Sequence, residues 1–326
     1  ECRAKEGKHI NTIKEDLEAL VDKRLHWTLL TLPILGIVIF TILPLVFMIC
    51  MAFTSYSKVG DHLTIFHWVG LKNFSTDLGM GNSIGKTFWS VLGWTLIWAV
   101  LATFLNYILG MILAIVINRK TTRIKGFWRF CFMLSAAIPQ FVSLLLMRTM
   151  LKDNGLINNL LVQAGLISSP LPFLTNATWA RATVVIINLW VGIPFTMMQV
   201  TGILQNIPGE LYEAARVDGA GPVTIFFKIT LPYMLFVTTP YLITTFTGNI
   251  NNFNVIYLLT AGAPVPVGAT AGKTDLLVTW LYKLTVDLQY FNVGAVVGIL
   301  TFVILAVVSL ITYRNTGSYK NEEGFQ

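Results

Sequence analysis

Asn188, Gly192, Phe195 and Gln199 fall at i, i+4, i+7 and i+11, so in a helix they share one face. Asn249 and Asn252, three residues apart, share a second face. Carboxamides donate and accept hydrogen bonds at once, and an aromatic ring presents a flat apolar surface; together they suit an uncharged, hydroxyl-rich ligand such as a sugar. Such amides also bridge packed helices in membranes, and the residues alone leave both roles open. A different chemistry is written from Glu213 to Pro232, a polar, glycine-broken insert between apolar spans. Glu213, Ala214, Ala215, Arg216, Asp218 and Gly219 come first; Ile229-Thr230-Leu231-Pro232 begins ten residues after Gly219. Ala214 and Ala215 add almost no bulk, so a partner can approach closely, while Glu213 offers a charge to a basic group.

Positioning these residues falls to long apolar helices. The 326 residues are 55% hydrophobic and only 12% charged, with a mean hydropathy of +0.68, too apolar for a soluble domain of this length. Stretches of about 20 apolar residues run from Trp27 to Phe53, Phe88 to Ile117, Trp128 to Met150, Ala182 to Leu204, Tyr233 to Leu259 and Asn292 to Tyr313. None alternates as barrel strands do, so the expected fold class is an all-α polytopic membrane protein with six transmembrane helices. Between the fourth and fifth spans, Pro208 suits a helix start and Gly219 a left-handed stop, which predicts a short helix from Pro208 to Asp218. Gly221-Pro222 then restarts the chain as a second short helix, expected to run until Pro232 opens the fifth span. On the last span, Gly294 and Gly298 form a small-xxx-small pair that favours close packing.

Basic residues set the expected orientation. Arg3, Lys5, Lys8, Lys14, Lys23 and Arg24 precede the first span; Arg119, Lys120, Arg123 and Lys125 follow the second; Arg216 and Lys228 lie in the polar insert; Arg314 and Lys320 follow the last. The positive-inside rule therefore places both ends and the insert in the cytoplasm. The net charge of +7 fits topology and contact with anionic lipids, and no nucleic acid is expected as a partner. Thr12 to Leu25 reads as an amphipathic helix at the membrane surface, with Ile10, Ile13, Leu17 and Leu20 on one face. Cys2, Cys50 and Cys131 imply no disulfide framework, and His9, His26, His62 and His67 lack metal spacing, so no metal site is expected. Gly268 to Thr274 imitates a phosphate-binding loop, but Val267 stands where its first glycine belongs. No nucleotide is expected here, no catalytic residue is evident, and the chain reads as a non-enzyme. The span interiors lack Asp, Glu, Lys, Arg and His apart from residues near the ends such as Arg129 and Arg148. Ion-coupled carriers keep such groups in the membrane, so the energy for any transport is expected from a separate subunit.

The Glu213 to Pro232 insert resembles the cytoplasmic coupling loop of binding-protein-dependent ABC importer permeases. The resemblance sharpens at Trp68 to Phe74, Asn188 to Gly192, Asn249 to Tyr257 and Thr274 to Lys283, which are similar to the larger permease subunit of maltose and maltodextrin ABC importers, particularly the Gram-positive form. It extends from about Leu25 to the C-terminus.

The resemblance implies a type I ABC importer (MetI-like) permease core. On it, residues 1–24 are a cytoplasmic segment, 25–87 the first span with an extracellular loop, 88–313 the permease core with its coupling loop at 205–231, and 314–326 a cytoplasmic tail. It also implies that the chain sits in a bacterial cell membrane and that Glu1 is an interior start. The implied partners are a second permease subunit, two ATP-binding cassette subunits that consume the ATP, and an extracellular sugar-binding protein or lipoprotein. Coupling is carried over to Glu213, Ala214, Ala215, Arg216, Asp218 and Gly219, and sugar binding to Asn188, Gly192, Phe195, Asn249 and Asn252. The family often has an aromatic residue before that first asparagine of the second pair, where this chain has Gly248. The implied function is import of oligosaccharides, maltose or maltodextrin first, by alternating access. The alternatives are an ABC permease for another sugar or small polar solute, and an ATP-independent secondary carrier.

Overall fold

A computed structural model describes residues 25, 27, 29–59, 62–63, 66–79, 81–119 and 121–314. Apart from Leu25, the expected surface helix from Thr12 lies outside the described residues, as does the tail beyond Arg314. The structure is helical throughout, with a two-residue hairpin, β1 (Lys58–Val59) and β2 (His62–Leu63), as its strands among the described residues. Among the described residues five helices are long and apolar enough to cross a membrane: α1 (Leu29–Ala52), α3 (Ser83–Asn118), α7 (Ala177–Asn206), α9 (Pro222–Ile250) and α12 (Phe291–Arg314). Around them lie α2 (Lys72–Leu78), α4 (Lys125–Ala137), α5 (Gln140–Met150), α6 (Leu156–Gln163), α8 (Gly209–Val217), α10 (Phe253–Leu259) and α11 (Leu277–Tyr282).

The expected third span from Trp128 to Met150 is not one straight helix. It is the pair α4 and α5, bent by 83°, and only if this pair counts as one span does the number reach six. Ile138, which precedes Pro139, is extended at φ −75°, ψ 128°, as the clash with a following proline ring requires. The expected fifth span is also corrected. Its helix ends at Ile250, and Asn252 starts α10 as a new element by accepting a hydrogen bond from the Val255 amide at 3.3 Å.

The second elbow helix does not stop at Pro232: it is the start of α9, which runs on through a wide π-type turn at Phe226–Thr230. The same device occurs in α1, where a π-type turn at Val38–Ile42 precedes Pro44. A proline inside a helix lacks one N–H and crowds the carbonyl a turn earlier, and a widened turn relieves that crowding. Both helices therefore pass through a residue that would otherwise break them.

Within their most apolar stretches, half of the residues of α7 are buried against 6% of those of α1, so α7 is the central post and α1 a peripheral one. Trp94 and Trp98 of α3, Leu144 of α5, Val184 of α7 and Ile256 of α10 form the middle of the core. Glycines set the closest seams. A Cβ on Gly110 of α3 would stand 2.7 Å from Thr196 Cβ of α7. The Gly294 and Gly298 pair of α12 does pack closely, Gly294 on Thr285 and Gly298 on Met48 of α1. α1 rests on α12 through Met51, Ala52, Ala295 and Val296.

Candidate functional site: an amide-lined cleft and a capped elbow

The bend at Pro139 creates one wall of an open cleft of about 290 Å³. Ser135, Ala137, Ile138 and Gln140 of that bend face Asn188, Gly192 and Phe195 of α7, with Ser143 behind them. The helical spacing read in the sequence thus brings three of the four residues into one concavity, whereas Gln199 lies outside its lining. Phe195 is 54% exposed, so its ring is available to stack on a flat apolar face. Among the described residues the lining holds amides, hydroxyls and aromatic rings and carries no ionisable side chain. Such a surface can hydrogen-bond a neutral polyol but offers a charged solute no counter-charge.

Gly192 has a structural reason as well. A Cβ there would collide with the amide of Asn106 on α3, whose Oδ1 is buried without a hydrogen-bond partner among the described residues. The floor of the cleft is therefore a close α3–α7 contact with an unsatisfied acceptor beneath it. Ser135 and Gln140 were missed in the sequence because the wall opposite Asn188 comes from another element. The signal that could have exposed them is Pro139, which marks a break inside an apolar span.

Asn249 and Asn252 do not join this cleft. Asn249 Nδ2 donates to Thr103 Oγ1 at 2.9 Å, and its carbonyl accepts from Trp98 Nε1 at 3.0 Å, which ties the end of α9 to α3. Asn252 Nδ2 reaches Asn249 Oδ1 at 3.4 Å while its own Oδ1 caps α10. Beside them stand Phe253, Tyr257 and Tyr282, with ring centroids 4.7–5.3 Å apart. The hydrogen bond shared with Tyr257 holds the Tyr282 phenol above its ordinary pKa. Gly248 meets nothing within 4 Å of a built Cβ.

The polar insert folds as its residues dictate. Pro208 precedes α8 and Gly219 follows it at φ +75°. The Ala220 amide donates to the Ala215 carbonyl at 2.9 Å and the Gly219 amide to the Arg216 carbonyl at 3.0 Å, the paired bonds of a Schellman stop. Glu213, Ala214, Arg216 and Asp218 are exposed, Ala215 is half-buried, and Val217 is 87% exposed. The inner side of the elbow is anchored: Ile207 is buried among Met111, Met197 and Met234, and the Tyr212 hydroxyl meets Thr230 Oγ1 at 3.2 Å. A rigid helix thus presents mixed charges and bare apolar surface outward from a firm footing.

Residues 106–316 match the family described as binding-protein-dependent transport system inner membrane component. The galactooligosaccharides transport system permease protein GanP of Bacillus subtilis (strain 168) is 36% identical over 321 residues, covering 97% of this chain and 76% of that protein. The maltodextrin transport system permease protein MdxF of the same organism is 36% identical over 332 residues, covering 97% and 75%. The maltodextrin transport system permease protein MalC of Streptococcus pneumoniae serotype 4 (strain ATCC BAA-334 / TIGR4) is 32% identical, covering 96% and 74%. Among solved structures, a chain of a bacterial alginate ABC transporter in complex with alginate pentasaccharide-bound periplasmic protein superposes with a TM-score of 0.74. That match covers 94% of this chain and 96% of the other at 22% identity, a likeness of fold.

Proposed function

We propose a role for this chain from one premise: it belongs to the binding-protein-dependent transport system inner membrane component family. It is a multi-pass membrane permease that moves a neutral oligosaccharide inward across a bacterial cell membrane, with maltodextrin as the first candidate. The observation that carries the substrate class is the cleft at Asn188, Gly192 and Phe195, whose lining is polar and aromatic yet uncharged. Relatives named for maltodextrin and for galactooligosaccharides are equally similar to the chain, and this favours a second reading in which the sugar is galactose-built.

In this proposal the chain pairs with a second permease and two ATP-binding cassette subunits, and receives sugar from an extracellular binding protein. Both ends and the elbow face the cytoplasm. Glu213, Ala214, Ala215, Arg216, Asp218 and Gly219 form the surface on which a cassette subunit acts. Movement of the elbow tilts α7 and α9, which α8 joins, and so opens the cleft to one side and then the other. Asn249 and Asn252, engaged here in holding the α9–α10 break, meet sugar in a state where that break has shifted.

Uptake of labelled maltotriose, a galactotriose and an amino acid by the reconstituted complex tests the reading. Saturable, ATP-dependent uptake of either sugar with no uptake of the amino acid is the expected outcome. Uptake of the amino acid alone would refute the substrate class.

A further inference from the structure

At the end of α7 opposite the elbow lies a second cleft, of about 180 Å³, between the starts of α3 and α7 and the loop from Pro266 to Asp275. Lys86, Arg181 and Lys273 line it together with Thr87 and Ser90. The Arg181 guanidinium is fixed in place: Nε donates to the Lys273 carbonyl at 2.8 Å, and Cζ stands 4.5 Å from the centre of the Trp94 ring. Trp94 is itself held by donation from Nε1 to the Thr274 carbonyl at 3.3 Å. A guanidinium stacked on an aromatic ring has lost rotamer freedom before any ligand arrives, so its remaining N–H donors bind at lower entropic cost.

The acidic residue in the lining does not neutralise these cations. Asp275 is fully buried, and its carboxylate accepts from Lys283 Nζ at 2.6 Å, from the Gly272 amide at 2.7 Å and from Thr279 Oγ1 at 2.9 Å. Its charge is matched by Lys283, the ion pair found among the described residues. Lys86, Arg181 and Lys273 thus converge on a concave site with no ion pair to any of them among the described residues. Concave walls focus such a potential and draw in an anion.

We infer that this cleft receives a carboxylate, supplied by an acidic side chain of the extracellular binding protein when it docks. The inference rests on the orientation and partner given under the proposed function, since both place the cleft on the outer surface. A planar guanidinium flanked by two ammonium groups matches a carboxylate in shape and charge, and 180 Å³ admits one Asp or Glu side chain. A uronic sugar would need such a site in the cleft beside Asn188, where ionisable groups are missing from the lining.

The test uses the complete complex in phosphatidylcholine vesicles and its purified binding protein. Affinity is measured against salt concentration for the wild type and for Lys86→Gln, Lys86→Glu and Lys273→Glu. Both lysines are exposed, and co-purification with the partner subunits confirms that each variant has folded. The graded loss expected is roughly tenfold for a charge reversal and less for Lys86→Gln, with a flatter salt dependence. Wild-type affinity and salt dependence in all three variants would overturn the inference while leaving the proposed function standing. A wild-type complex that neither binds the protein nor imports sugar removes both. Two further outcomes also overturn it: loss of binding only when phosphatidylglycerol is present, which assigns the cleft to lipid, and saturation by inorganic phosphate without effect on docking, which assigns it to a small free anion.

Discussion

Asn188 and Asn252 are the same residue type in neighbouring parts of the bundle, yet the structure gives them different work. Asn188 lines an open cleft, whereas Asn252 caps α10 and touches Asn249. Replacing Asn188 by Leu removes a polar group from the cleft and, on the proposed function, leaves a sugar hydroxyl without its partner, a loss of roughly 1–3 kcal/mol. The expected result is a raised KM for sugar uptake in a complex that still assembles. Asn252→Leu removes a helix cap, costing about 1 kcal/mol of local stability, and should lower the thermal midpoint of the assembled complex as well as uptake. Measuring uptake and thermal midpoint for both variants checks the contrast; an unchanged midpoint for Asn252→Leu would assign that residue to substrate alone. Spacing within one helix made the Asn188, Gly192 and Phe195 face legible in the sequence. It could not reveal Gln140 across the cleft or Asn106 beneath Gly192, because both contacts depend on how separate helices meet.

Within the elbow, local rules sufficed for α8. Pro208 and Gly219 fix a helix of known ends, and the observed Schellman bonds follow from the glycine's positive φ. The π-type turns before Pro44 and Pro232 were not legible, because a proline in sequence signals a helix end, and only tertiary packing decides that the helix widens and continues. Gly219→Val forces a β-branched residue into a left-handed conformation at about 1 kcal/mol or more, and Glu213→Lys reverses an exposed charge on the same helix. Neither residue is a member of the packed cluster that holds Ile207 and Tyr212. Both variants should therefore assemble and bind sugar, but lose ATP-driven uptake and the stimulation of ATPase activity by the binding protein. Wild-type uptake and stimulation in both would show that α8 is not where the force enters.

For the whole molecule, hydropathy located the apolar stretches but not their rank. α7 has the most buried apolar stretch of the long helices and α1 the least, a distinction set by the partner helices rather than by apolarity. What the chain carries inside those helices decides how it is driven. Lys86 sits in the first turn of α3, Arg181 in the second turn of α7, Lys228 near the start of α9 and Arg314 at the end of α12, so the charges of these long helices lie near their ends. A carrier coupled to protons or sodium ions needs a group within the membrane that binds the ion in one state and releases it in the other. On the proposed function the uncharged cleft offers a sugar hydrogen bonds, and the mixed-charge elbow offers a partner a lever. Uptake by the full complex in vesicles loaded with ATP should persist when a protonophore and a sodium ionophore abolish all ion gradients. It should vanish when the cassette subunits are left out or ATP is replaced by a non-hydrolysable analogue. Sugar accumulation by this chain and its sister permease alone, driven by an imposed proton gradient, would place the energy source inside the membrane and overturn the assignment of the elbow as its point of entry.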